Sequence, residues 1–308
     1  MRSVALCTYN GEHYIRQQLD SILRQTMKVD EIVVCDDGST DQTLSILKNV
    51  ADGSAINIHI HRNATHLGPA YNFQQAISLC RGDLIFLCDQ DDVWHEEKVA
   101  VTQDYFDHHP DITVVFTNAY LIGGDGRPLE GTLWDYCFDK EVRALFDAGL
   151  EFECFAYVNH ATGATMAIRR QTIPDINYNP DFLHDHALAA LAANNDSLGY
   201  IDQCLISYRI HENQVCGIME VPPVTWSDLA SAMKEVAALP LRADKRERLA
   251  FNKERRAFRK QLLGPLKILM HQKQYKKLYR KASRTMLGVD LRESFRHKIR
   301  ILNRRKTT

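Results

Sequence analysis

Three carboxylates fall within four residues at Asp89-Gln90-Asp91-Asp92, directly after the apolar run Leu84-Ile85-Phe86-Leu87-Cys88. At neutral pH they repel one another, and a bound divalent cation offsets that cost. Oxygen donors suit Mg2+ or Mn2+, ions usually held by one or two carboxylates together with substrate phosphates. The cluster therefore points to a diphosphate ligand bridged by metal. Two more polar clusters follow apolar runs, Thr8-Tyr9-Asn10-Gly11 and Asp36-Asp37-Gly38-Ser39-Thr40-Asp41. Asp, Ser and Thr are favoured helix N-caps, which would account for any one cluster alone. Three of them at equivalent places point to one shared crevice. Neither GxGxxG nor GxxxxGK followed by Ser or Thr occurs. That counts against a dinucleotide dehydrogenase and a P-loop ATPase.

The elements that must carry these clusters follow from the apolar pattern. Ser3 to Cys7 reads as a buried strand. Tyr14, Ile15, Leu19, Ile22 and Leu23 share one helix face, and Glu31 to Cys35 is a second strand. Strand, helix and strand at this spacing form a βαβ unit with a right-handed crossover. The alternation continues with a helix over 41–50, a strand over 56–60 and a helix over 69–79 that Pro69 suits at its first turn. A strand over 83–88, a helix over 96–108 and a strand over 112–116 follow. Residues 119–182 are less regular, with a turn cluster at Gly123-Gly124-Asp125-Gly126 and a short strand over 164–168. A helix over 185–193 and a strand over 198–208 complete an α/β domain built on a mainly parallel central sheet. Open sheets of this kind bind ligands at the carboxyl ends of their strands, where the polar clusters lie.

The chain has 308 residues and a formal net charge of −1. That figure hides a split. Residues 241–308 hold 23 Lys and Arg against 5 Asp and Glu, a net of +18, and residues 1–240 hold 15 against 34, a net of −19. The strand-like runs stop near 210, and Pro222-Pro223 marks a boundary. Two units are expected, 1–217 as the α/β domain and 218–308 as a basic helical extension. Stretches such as Lys273 to Lys281 and Phe295 to Leu302 set apolar residues at helical spacing among cations. They suit an anionic membrane surface, and packing on the acidic body is the alternative. No nucleic-acid partner is expected. No run of 18 apolar residues predicts a spanning helix. The start of the chain lacks the long apolar core of a signal peptide. The eight cysteines form no CxxC pair, so reduced thiols in the cytoplasm are expected, with Cys7, Cys35 and Cys88 in the core.

Three motifs in order, Cys7-Thr8-Tyr9-Asn10-Gly11, Asp30 to Asp41 and Asp89-Gln90-Asp91-Asp92-Val93-Trp94, resemble glycosyltransferase family 2. Further on, Thr162-Gly163-Ala164-Thr165-Met166 resembles the acceptor-side segment of that family. His184-Asp185 resembles its catalytic-base motif. Tyr208-Arg209-Ile210-His211-Glu212-Asn213 resembles the closing segment of its rhamnosyltransferase-like branch. The branch usually carries two Trp after His-Asp, where this chain has His186 and Ala187. The resemblance covers about 1–215 and implies a GT-A fold. It implies an inverting, metal-dependent sugar transferase that uses a dTDP- or UDP-sugar, Mg2+ or Mn2+, and a glycan or lipid-linked acceptor. Bacterial surface polysaccharide synthesis at the inner face of the cytoplasmic membrane is the implied setting.

The resemblance also implies roles. Thr8, Tyr9, Asn10, Asp36 and Asp37 would hold the nucleotide. Asp89 and Asp91 would be the Asp-x-Asp pair, with Asp91 the direct metal ligand and His211 reaching the metal or the diphosphate. Asp185 would be the general base, and Gly163, Ala164 and His184 would line the sugar and acceptor side. Plainer readings stand beside these. Asp185 is placed to cap the helix that follows it. His211 would be a hydrogen-bonded loop histidine. His184 and His186 would flank a pocket rather than bind zinc. His59 and His61 would lie on an edge strand, and Trp94 would pack below the acidic loop. A nucleotidyltransferase and a non-catalytic nucleotide-sugar-binding membrane scaffold are the competing functions.

Overall fold

The computed structural model describes residues 1–155, 159–175, 183–212 and 214. They belong to one compact unit, Met1–Glu220. The basic extension expected over 218–308 lies outside the described residues, as does Asn213.

The chain runs β1 (Arg2–Thr8), α1 (Ile15–Leu23), β2 (Glu31–Asp36), α2 (Thr43–Gly53), β3 (Asn57–Arg62), α3 (Pro69–Leu79), β4 (Leu84–Cys88) and β5 (Val93–Trp94). It continues through α4 (Lys98–His108), β6 (Val114–Gly123), β7 (Pro128–Thr132), α5 (Trp134–Cys137), α6 (Lys140–Leu145), α7 (Glu151–Phe155), β8 (Ala167–Arg169), α8 (His184–Asn194) and β9 (Leu198–Ile210). These strands make one sheet in the order β3-β2-β1-β4-β8-β6-β9-β5, with β7 paired to β6.

The expected parallel sheet holds in two blocks, β3-β2-β1-β4 and β6-β9. The short strands β8, β5 and β7 join antiparallel. β1, β2 and β4 are apolar and almost wholly buried along their length, as strands covered on both faces must be. Their register aligns the chemistry. Thr8 lies opposite Asp36 and Leu6 opposite Cys88, so all three polar clusters leave the sheet at one edge. β3 ends the sheet, and His59 and His61 are exposed on it, as expected of an edge strand.

Helix α1 packs Ile15, Leu19 and Ile22 fully inside. Burial of each such side chain stabilises by about 1.5–3 kcal/mol. The irregular stretch over 119–182 holds more structure than its pattern predicts. β6 runs seven residues past Phe116 to Gly123, turns at Gly126 with φ +81°, and returns as β7. Helices α5 to α7 then pack through an aromatic cluster in which Phe116, Trp134, Phe138 and Phe155 meet mostly edge to face. The strand expected over 164–168 is a tight turn at Gly163–Thr165 followed by β8. Cys7, Cys35 and Cys88 are buried free thiols, pushed above the usual thiol range by burial, Cys35 to about 11. Among the described residues no helix is long and apolar enough to cross a membrane.

Candidate active site

The loops after β1 and β2 are laced together by side chains that bind backbone. Asp36 is fully buried. It accepts hydrogen bonds from Thr8 Oγ1 (3.0 Å), from Ser39 N (3.0 Å) and from Gly38 N (3.2 Å). Gly38 has φ +93°, a turn conformation that favours glycine. Asn10 N donates to Ser39 Oγ, and Asn10 Oδ1 accepts from Thr40 N, both at 2.9 Å. Asp37 is also buried and clamps the entry to α3. It accepts from Leu67 N, Gly68 N and Asn63 Nδ2, each at 2.8 Å, and lies 3.0 Å from His66 Nδ1. Asp36 and Asp37 therefore shape the crevice with carboxylates already engaged. Tyr9 is the member of this group with an exposed ring, 44% accessible, and it lies against His66 at 4.7 Å between centroids.

The acidic loop is tied to the same wall. Tyr9 N donates to Gln90 Oε1 (2.9 Å), and Gln90 Nε2 donates to Tyr9 O (3.0 Å). On its other side the loop meets the end of β9. His211 Nε2 lies 2.8 Å from Asp91 Oδ2, and both side chains are largely enclosed. Asp92 accepts from Arg209 N at 2.9 Å, while its Oδ2 is buried with no hydrogen-bond partner among the described residues. Burial, Asp91 and Asp185, in that order, push Asp89 up to about 8. Burial and then Asp91 and Asp89 push Asp92 up as well. The carboxylates crowd each other, as the sequence suggests. Beneath them Lys98 is buried over the Trp94 ring, with Nζ 4.8 Å from its centroid, and donates to Ala164 O at 3.1 Å. Burial lowers its pKa to about 8. Trp94 is 3% exposed and packs below the loop, as expected.

Asp185 stands in the first turn of α8, with Leu183 at the N-cap position, so it serves the helix start from within the first turn. Its Oδ2 accepts from Gly163 N at 3.0 Å and its Oδ1 from His186 N at 2.7 Å. Each carboxylate oxygen has two lone pairs, so capacity remains for a further proton donor. Through Gly163 it joins the turn whose Ala164 O accepts from Lys98 beneath the acidic loop. His184 stacks on Phe73 at 3.8 Å, and neither ring nitrogen has a hydrogen-bond partner among the described residues. A Cβ on Gly163 would come within 2.7 Å of His184 Nε2. Gly163 thus admits the imidazole and fixes Asp185 at once, with Ala164 buried beside it. His186 turns the other way, 2.8 Å from Phe155 O, so the two histidines do not share a zinc site.

Among the described residues, no three His, Cys, Asp or Glu side chains converge to cage a metal. Asp89, Asp91 and His211 are therefore not a ready three-ligand site. The pair that meets is Asp91 and His211. Carboxylate oxygens this crowded still suit a hard cation that takes its other donors from substrate phosphate.

Arg209 is the residue whose part the sequence does not reveal. It is 1% exposed, and its guanidinium reaches no carboxylate among the described residues. Nε donates to Asp91 O (2.6 Å), Nη1 to Gly123 O (3.2 Å) and Nη2 to Gln17 Oε1 (2.7 Å), with the Tyr14 ring 4.7 Å away. One side chain joins α1, the acidic loop and the β6–β7 turn. Gln90 lies within the acidic motif and His66 outside any pattern, and neither contact is legible because Tyr9 and Asp37 are distant in sequence.

Comparison with known proteins agrees with this architecture. The family described as Glycosyl transferase family 2 matches residues 3–174. The dTDP-rhamnosyl transferase RfbG of Shigella flexneri is 27% identical over 237 residues, 69% of this chain and 73% of that protein. An uncharacterized protein of Mycobacterium tuberculosis is 33% identical over 126 residues, 40% of this chain. The chain thus spans about a third of that relative, 36% of its length. Among solved structures, TarS of S. aureus in complex with UDP-GlcNAc superposes with a TM-score of 0.53 at 22% identity, covering 79% of this chain and 67% of that one. That likeness shows the fold, the expected GT-A arrangement of a mixed α/β sheet. With its family match extending over more than half of its length, the chain belongs to glycosyl transferase family 2.

Proposed function

We propose that this protein transfers a sugar, with inversion, from a nucleoside-diphosphate sugar to a hydroxyl of a glycan or lipid-linked acceptor in bacterial surface polysaccharide synthesis. The observation that carries the reading is that one turn joins Asp185, which accepts from Gly163 N, to Lys98 beneath the acidic loop, which donates to Ala164 O. A carboxylate base and a diphosphate-holding loop at one sheet edge are the two parts an inverting transfer needs.

Tyr9 and His66 offer the base an aromatic face, with Thr8 and Asn10 beside it. Asp36 and Asp37 hold those loops in shape, since their oxygens are already engaged. Asp91, with Asp89 behind it and His211 beside it, would hold Mg2+ or Mn2+ together with diphosphate oxygens. Such a cation neutralises charge on the departing diphosphate without a proton donor. Asp185 would take the proton of the acceptor hydroxyl as its oxygen attacks the anomeric carbon opposite the leaving group. Gly163, Ala164 and His184 would border the acceptor side.

A dTDP-rhamnose donor is the first choice, supported by the name of the Shigella relative, with UDP-sugars next. The test is a thermal-shift screen of nucleotide sugars with Mn2+ or Mg2+. A selective rise identifies the donor through binding linkage, and no rise with any of them would refute the reading. The basic extension is proposed to lie on the anionic inner face of the cytoplasmic membrane. Unchanged co-sedimentation with anionic vesicles after removal of 241–308 would reject that part.

A further inference from the structure

Away from the crevice, β9 carries a large irregularity. Thr117 of β6 pairs with Ile201, Asn118 with Cys204 and Ala119 with Ile206, so five steps along β9 oppose two along β6. Bulges of this kind re-aim side chains, often next to functional sites. Here the bulge opens a cavity of about 870 Å³ between β6, β9 and the turn after β5. That is within the range of about 300–1,000 Å³ typical of small-molecule sites.

Its lining combines an aromatic face with free hydrogen-bonding groups. Tyr120 is the one exposed residue in a strand otherwise buried or half-buried, at 52% accessible. Its ring stacks on His95 at 5.4 Å and 23°, and His95 is held by Ser207 Oγ at 3.3 Å and by its own N–H to Leu205 O. The platform is therefore rigid. Asn118 Oδ1 accepts from Ala119 N and Trp134 N, which leaves its amide nitrogen without a partner among the described residues. Gln203 and Glu96 line the cavity with exposed side chains, and neither has a side-chain partner among the described residues.

We propose that this cavity is a saccharide-binding subsite for a neutral oligosaccharide, separate from the transfer site. The C–H face of a sugar ring would lie on Tyr120, and its hydroxyls would bond Asn118, Gln203 and Glu96. Acidic side chains outnumber the one cation in the lining, Arg24, and that disfavours anionic chains. Trp94 and His95 of the lining follow Asp92 by two and three residues, so that wall of the cavity lies within about 10 Å of the acidic loop. A growing glycan held there would keep its end within reach of the crevice. This last role rests on the transferase reading; the binding itself does not.

The test is saturation-transfer NMR on the full chain with neutral trisaccharides of glucose, N-acetylglucosamine, mannose and rhamnose. Binding of at least one is expected, undiminished in Asp91→Asn and about tenfold weaker in Tyr120→Ala and in Gln203→Ala. No binding by any trisaccharide, binding unchanged in both cavity variants, or binding lost in Asp91→Asn would each overturn the proposal. Donor thermal shifts on the same samples separate the two readings. Their absence in the unmodified chain would sink the transferase proposal and leave the subsite standing on the NMR result.

Discussion

His211 Nε2 lies 2.8 Å from Asp91 Oδ2, joining the residue after the last strand to the loop after the fourth across 120 positions of sequence. The contact closes the acidic loop from the side away from the nucleotide wall. The plain loop-histidine reading and the metal-side reading both require this geometry, and a variant separates them. His211→Ala is expected to weaken the Mn2+-dependent thermal shift by a nucleotide sugar while leaving the metal-free melting temperature within a few degrees. A large fall in the metal-free value with an unchanged metal-dependent shift would make His211 a structural residue. Adding a chelator to the unmodified chain should remove the same increment.

Arg209 holds the loop from beneath. Arg209→Met would leave the carbonyls of Asp91 and Gly123 and the Gln17 amide without their donor. A buried acceptor left without its donor costs about 1–3 kcal/mol. Urea unfolding should show a loss of that order, and Arg209→Lys should recover only part of it, because an ammonium cannot fork to three segments. A loss under about 1 kcal/mol would mean that the network relaxes to a new set of partners.

Much of this was legible in the sequence and some was not, for physical reasons. β1, β2 and β4 are buried on both faces, so their composition alone marks them. The three polar clusters at one edge follow from the parallel register of those strands. β7 was missed because Pro128 to Thr132 is an exposed edge strand without an apolar side. Helices α5 to α7 were missed because they are short and packed by scattered aromatic residues rather than by a periodic stripe. Arg209 is part of a recognisable segment, yet its task depends on Gln17, 192 residues away, and no local pattern encodes that. The bulge at 202–205 interrupts what reads as one uniform strand.

Gly163 is fixed by close approach. A Cβ there would sit 2.7 Å from His184 Nε2 and 3.4 Å from Asp185 Cβ. Gly163→Ala should therefore displace the start of α8 and cut turnover by at least tenfold, with donor affinity unchanged. Steady-state kinetics with separate donor titration checks this. Equal loss of donor affinity would mean that the segment belongs to the donor side.

His160 gives a pH prediction. It is 1% exposed, with Nδ1 2.6 Å from Cys137 O, and burial lowers its pKa to about 4. A histidine buried neutral takes up its proton more readily when unfolded, so its contribution to stability is full above pH ~6.5 and falls as pH drops toward 4. The shift corresponds to about 3 kcal/mol. His160→Gln should flatten the stability profile between about pH 4 and 6.5 relative to the unmodified chain. Parallel profiles would contradict the neutral buried state.

Transfer depends most directly on Asp185 as the base. The direct measurement is nucleoside-diphosphate release in the presence of acceptor, comparing Asp185→Asn with the unmodified chain, with donor binding followed by thermal shift. The prediction is a fall of about 10²- to 10⁴-fold in release, with the donor-induced shift intact. Turnover within a few-fold of the unmodified chain would contradict it and move the base elsewhere.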